Sequence, residues 1–209
     1  AFSFLKAIKP FIRIGYKEFT QDKSAFNSAM SYTLKRAVTG SGKEIKIDFD
    51  RALVSMGTLM PIFEGAATVS NHQMTFNWKD NSGMGNAERT DIVMVLVYNK
   101  DREAAVYDTE AALRSDCHAG LQLPEDWQDD ELVAYLSFCS TDGNCVANSI
   151  CLPISVIEIP EEEIDVQTES IDTTHKRILP DKRTVHQSRI TVHSLSAPPN
   201  EIQTYRCET

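Results

Sequence analysis

Short apolar runs recur through the middle of this chain, from Met60 to Pro153, with turn residues between them. Strand-length runs at about 8–12-residue spacing with turn signals between them predict an all-β sandwich. Met74, Phe76 and Trp78 alternate with polar neighbours, so Trp78 is expected in the core of an early strand. Ile92 to Tyr98 is nearly continuous in apolar residues, the pattern of a strand at the centre of a sheet. Glu103 to Tyr107 reads as a short following strand, and Leu121 and Leu123 as the end of another before Pro124. In the run after Glu131, Leu132, Ala134, Leu136 and Phe138 take one face, and Val133, Tyr135 and Ser137 take the other. Ser140 to Asn144 reads as a hairpin with Gly143 in the left-handed position of a three-residue loop, returning over Cys145 to Leu152.

The first sixty residues carry a different period. Phe4, Leu5, Ile8, Phe11 and Ile12 sit near helical spacing, and Pro10 is expected to kink or end that helix at Lys9. A second helix is capped by Asp22 or Ser24, shows Phe26, Met30 and Leu34 on its apolar face, and stops at Gly40. Ile45, Ile47 and Phe49 then alternate as a strand. The organisation read from this is a helical segment with a first strand over 1–59, a β-sandwich over 60–153 and an extended arm over 154–209. The fold class is mainly β with an N-terminal helical segment. The sandwich resembles fibronectin type III and immunoglobulin-like domains, and Tyr135, after the Leu123-Pro124 corner, resembles the tyrosine of such sandwiches.

A closer resemblance lies in many short motifs. They include Ile8-Lys9-Pro10-Phe11-Ile12-Arg13-Ile14-Gly15, Phe26-Asn27-Ser28-Ala29-Met30-Ser31-Tyr32, Leu53-Val54-Ser55-Met56-Gly57, Trp78-Lys79-Asp80-Asn81-Ser82-Gly83, Ala134-Tyr135-Leu136-Ser137-Phe138 and Val146-Ala147-Asn148-Ser149. Over residues 1–153 the chain resembles an uncharacterised family of Bacteroidota proteins, a domain of unknown function. The resemblance implies source and fold and supplies no catalytic residues. Members carry a basic, glycine-rich leader; the start at Ala1 is therefore expected to lie inside a longer gene product.

Charge is distributed in blocks. The 209 residues carry a formal charge of −9. Residues 1–60 are net basic, 61–153 strongly acidic, 154–172 hold seven acids and no base, and 173–209 are again basic. Such blocks either pair within or between copies or form solvated faces. Scattered bases around an acidic middle argue against nucleic acid as a partner. The longest apolar runs fall far short of the roughly 18 residues of a membrane span. The compartment stays open, with a lean to the cell surface or the extracellular space.

No chemistry-bearing motif emerges. The chain has no Gly-x-Ser-x-Gly elbow, His-Glu-x-x-His pair, phosphate loop or dinucleotide fingerprint. Cys139 and Cys145 face each other across a three-residue hairpin, a spacing at which a disulfide is possible, with free thiols the alternative. Cys-x5-Cys-x5-Cys is not zinc-ligand spacing, and Cys117-His118 lacks an orienting third group. Glu125, Asp126, Asp129, Asp130 and Glu131 form an acidic loop without a calcium-loop ladder. The polar loop with Asp80, Asn81 and Asn86, together with Trp127, is the candidate binding surface; Trp127 either offers a sugar platform or pins its loop to the core. No cofactor or metal is expected, and no enzyme activity.

The arm holds isolated apolar alternations, Ile154 to Ile159 and Ile190, Val192 and Leu195, too sparse for a core of its own. Order there requires pairing with another sheet edge. The functional expectation is a non-catalytic structural or assembly protein, a homo-oligomer whose arm pairs with the sandwich of its own or a neighbouring subunit. The alternative is a surface adhesin or a glycan- or protein-binding module using the sandwich loops.

Overall fold

The structure, a computed structural model, describes residues 1–157. The described residues fall within one compact unit, Ala1–Glu162. The strands expected beyond Ile157, with Cys207, His175, His186 and His193, lie outside the described residues. The helical segment expected over 1–59 and the strands that follow share a core.

Two short helices open the chain, α1 (Phe2–Ala7) and α2 (Lys9–Gly15). The break falls at Ile8, and Pro10 stands in the first turn of α2 instead of ending a helix. There its missing amide is one that has no intrahelical acceptor anyway. Helix α3 (Ala25–Arg36) is capped by Ser24, whose Oγ accepts the Asn27 amide at 3.2 Å. Its buried face is not the expected one. Ala25, Ala29 and Thr33 are buried, Phe26 and Met30 only partly so, and Leu34 is 56 % exposed. Small side chains on that stripe let α3 lie close against α2, which the bulkier stripe would prevent. Strands β1 (Val38–Thr39) and β2 (Lys46–Ile47) form a small ribbon, so the strand expected over Ile45–Phe49 is two residues long.

The rest of the unit is β3 (Gly65–Ser70), β4 (Gln73–Trp78), β5 (Ile92–Asn99), β6 (Ala104–Leu113), β7 (His118–Gln122), β8 (Leu132–Cys139), β9 (Ile150–Leu152) and β10 (Ile154–Val156). They form two four-stranded sheets, in the orders β10-β3-β4-β7 and β6-β5-β8-β9. All pairs are antiparallel except β10 with β3. Val93, Val95 and Val97 of β5, with Ala134, Leu136 and Phe138 of β8, share a core with Met74, Phe76 and Trp78 of β4. Met94, Leu96, Tyr98, Val133 and Tyr135 point the other way, into a second core closed by Phe4, Leu5, Ile8, Phe11 and Ile12. The order of layers is therefore helices, sheet, sheet. The Tyr135 hydroxyl donates to the Phe49 carbonyl at 2.8 Å, bracing the helical layer and not a local strand corner.

The hairpin after β8 is one residue longer than expected. The Ser140 amide donates to the Cys145 carbonyl at 2.9 Å, so Ser140 faces Cys145 and Cys139 faces Val146. Asp142 sets this length: its Oδ1 accepts from the Asn144 amide and from the Ser140 hydroxyl. Gly143 takes the expected left-handed conformation, φ 68°. A slip of one residue exchanges the faces. Cys139 joins the helix-side core, while Cys145 packs toward the core between the sheets.

Residues 52–57 seal the edge between helices and sheet. The Ser55 and Ser137 hydroxyls lie 2.6 Å apart and both reach the Ala147 carbonyl, while Ser149 Oγ accepts the Val54 amide at 2.9 Å. Met56 donates its amide to the Gly15 carbonyl at 2.8 Å. A Cβ on Gly15 would stand 2.5 Å from the Val54 carbonyl oxygen, which is backbone and cannot swing aside. Gly15→Ala is therefore expected to lower stability by about 1–3 kcal/mol, read as a lower urea midpoint at unchanged slope.

Candidate interaction site

The loop between β4 and β5 carries three of the four residues selected from sequence; Asp80 and Asn86 stay exposed, while Asn81 turns inward. The cause is Arg114. Ile92 of β5 pairs with Leu113 of β6, so the next residues outward, Asp91 and Arg114, meet as a cross-strand pair. Both are fully buried, with Arg114 Nε 3.0 Å from Asp91 Oδ2. Arg114 also donates to Asn81 Oδ1 at 2.7 Å and to the Met60 carbonyl at 2.8 Å, and its guanidinium lies 3.8 Å from the Phe138 ring centroid. Burial lowers the guanidinium pKa, and the Asp91 charge opposes that shift. Asn81 is buried and donates its side-chain N–H to the Pro61 carbonyl at 2.8 Å. Asn86 clamps the segment before β3, accepting from the Met60 amide and donating to the Thr58 carbonyl. Asp80 accepts from the Ser82 amide and hydroxyl, bonds that hold its carboxyl below the usual range. Asn81 is thus an internal brace, and Asn86 and Asp80 hold the loop's own shape.

Trp127 lies at the other end of β4. It lines a cleft with Asn71 and His72, which precede β4, whereas Asp80 follows it; six strand residues span about 20 Å. The four candidates therefore form no common surface. Trp127 is only 5 % exposed, so its ring is not a sugar platform; it pins the 125–127 turn to the core between the sheets. Three of the five acids in the loop around it are in ion pairs: Arg102 pairs with Asp126 and Asp130, and Lys100 with Glu131. Hydrogen bonds from Asn99 and Arg102 keep the Asp130 carboxyl below its ordinary range. Among the described residues no cluster of His, Cys, Asp or Glu is arranged to hold a metal ion.

Cys117, Cys139, Cys145 and Cys151 are free thiols, and Cys139 and Cys145 are not joined. The one-residue register difference is the physical reason. Burial raises the Cys139 pKa; burial and then a hydrogen bond with Asp50 push Cys151 up to about 12. Thiols shifted this way are poor nucleophiles.

The remaining feature is the sheet edge where the arm begins. Ile154, Ser155 and Val156 run parallel to Ala67, Thr68 and Val69, and the Ile157 amide continues the ladder to the Val69 carbonyl at 3.1 Å. The outer edge of β10 carries no charge, and Val156 is 72 % exposed. The edge of β6 differs: an irregular register opposite Val93–Val95 and the acids Asp108 and Glu110 interrupt it.

These features define a mainly β protein of two four-stranded sheets and a small ribbon, with short N-terminal helices. The chain belongs to the family of unknown function DUF6266, whose model matches residues 1–153. No curated protein and no solved structure is significantly similar to it. No helix among the described residues is long and apolar enough to cross a membrane.

Sequence reasoning missed Arg114 and Asp91. The available signal was a pair of opposite charges at the abutting ends of two successive strands. Arg114→Met is expected to cost about 3–5 kcal/mol, because Asp91 is left buried and unpaired. Adding Asp91→Asn should restore a large part of that loss, measured as coupling in a double-mutant cycle of urea unfolding.

Proposed function

We propose that this chain is a non-catalytic structural protein, a sandwich of the fibronectin type III or immunoglobulin kind. Its C-terminal arm pairs with the sandwich of its own or a neighbouring subunit. The observation that carries this reading is β10: the first residues of the arm lie as an added parallel strand on β3, and among the described residues no strand pairs with their uncharged outer edge. An added edge strand supplies main-chain hydrogen bonds, and a free edge beyond it offers the same to a further strand. The strand order supports the sandwich assignment. β3-β4-β7 corresponds to strands A, B and E of such domains, and β6-β5-β8-β9 to C′, C, F and G. A Bacteroidota source is part of the same proposal. The acidic and basic halves of the arm add charge complementarity to pairing between copies.

Removing residues 160–209 is expected to lower the mass in solution, measured by light scattering, from an oligomer to the single chain. An oligomeric state unchanged by the deletion would sink pairing between subunits. The alternative, an adhesin or glycan- or protein-binding module, has to work without Asn81 and without the Trp127 ring face, since both are held in the interior.

A further inference from the structure

The cleft at the Trp127 end is built like a ligand site. It encloses about 580 Å³ between the two sheets, within the usual range of about 300–1,000 Å³ for small-molecule sites. Its walls are apolar, from Val69, Leu123, Trp127, Leu132, Ile154 and Val156. The core-facing side chains of this set pack into the core between the sheets, which makes the cleft part of the scaffold and not a gap between loops.

Trp127 supplies the second observation. Its side chain is more than nine-tenths buried, yet its indole N–H has no hydrogen-bond partner among the described residues and is not sealed from solvent. Trp78 shows the contrast: its indole N–H donates to the Arg114 carbonyl at 2.8 Å. A nearly buried indole usually finds an acceptor, and Trp127 is one of the residues that line the cleft. At the rim, the side chains of Ser70, Asn71, His72 and Gln128 also make no hydrogen bond among the described residues. The single carboxylate there, Asp130, is taken by Asn99 and Arg102.

We propose that this cleft binds a small neutral molecule with an apolar body and a hydrogen-bond acceptor, a carbonyl or hydroxyl oxygen, that meets the Trp127 indole N–H. The apolar walls select the body, the lone donor selects the acceptor, and a charged ligand finds no free counter-charge. The inference is independent of how the arm assembles.

The chain has two tryptophans, so the full-length protein gives two indole N–H signals in a ¹⁵N-correlated spectrum, told apart by Trp127→Phe. Cyclohexanone serves as the neutral probe and cyclohexanecarboxylate as its charged counterpart. Cyclohexanone is expected to shift the Trp127 signal saturably and leave the Trp78 signal in place, while the carboxylate binds at least about tenfold more weakly. Binding to variants is followed through the Leu132 amide. Trp127→Phe keeps the apolar body and removes the donor. Val156→Glu puts a carboxylate on an exposed wall, which the fold tolerates. Each is expected to weaken cyclohexanone binding about tenfold. Three results overturn the proposal: both indole signals moving together, no shift up to the probe's solubility, or unchanged affinity in both variants.

Discussion

Strands β5 and β8 are buried on both faces, and the rest of the structure follows from that. Val93, Val95 and Val97 need cover on one side, and Met94, Leu96 and Tyr98 on the other. One neighbouring sheet can cover only one face, so the N-terminal helices must close the second. Each large side chain so buried stabilises the fold by about 1.5–3 kcal/mol. Ser137 is the polar exception on the helix-side face of β8, and it is tolerated because Ser55 and the Ala147 carbonyl satisfy it. Through Ser55 and Ser149 the same contact fastens residues 52–57, and with them Gly15 and the helical layer.

The buried Arg114–Asp91 pair has a different role. Replacing such a pair with apolar residues is often neutral for stability, whereas breaking it is costly. Its consequence here is positional. One guanidinium holds β5, β6, the 79–91 loop and the segment before β3 in a single arrangement. The loop whose composition suggests a binding surface is thereby pinned through the buried Asn81, with Asp80 and Asn86 left at the surface, and the polar side chains at the Trp127 cleft without a partner among the described residues lie at the opposite end of the sheets.

Several elements were legible because their periods are unambiguous. The alternation of Met74, Phe76 and Trp78, the continuous run of β5, the two-faced β8 and the Ser24 cap each appear as expected. Strand β3 was missed because Gly65-Ala66-Ala67-Thr68-Val69-Ser70 has little hydrophobic contrast and owes its place to pairing with β4 and β10. β6 extends to Leu113 because β5 templates it, past the acids that closed the sequence reading at Tyr107. Of the candidate site, Trp127 takes the second of its two expected roles and pins its loop to the core, whereas the state of its N–H cannot be inferred from a one-dimensional pattern. The Cys139–Cys145 pairing failed on the Asp142 hydrogen bonds, which lengthen the loop by one residue.

By itself the sequence determined the strand-rich class, the helical start, the two-faced central strands and kinship over residues 1–153, because each rests on local period or on linear similarity. The tertiary structure alone decided which stripe of α3 is buried, which thiols face each other, where Arg114 sends its donors and where an indole N–H is left open. Those outcomes depend on close approach between segments far apart in the chain. At such contacts a shift of one residue or a few tenths of an ångström exchanges a buried partner for an exposed one.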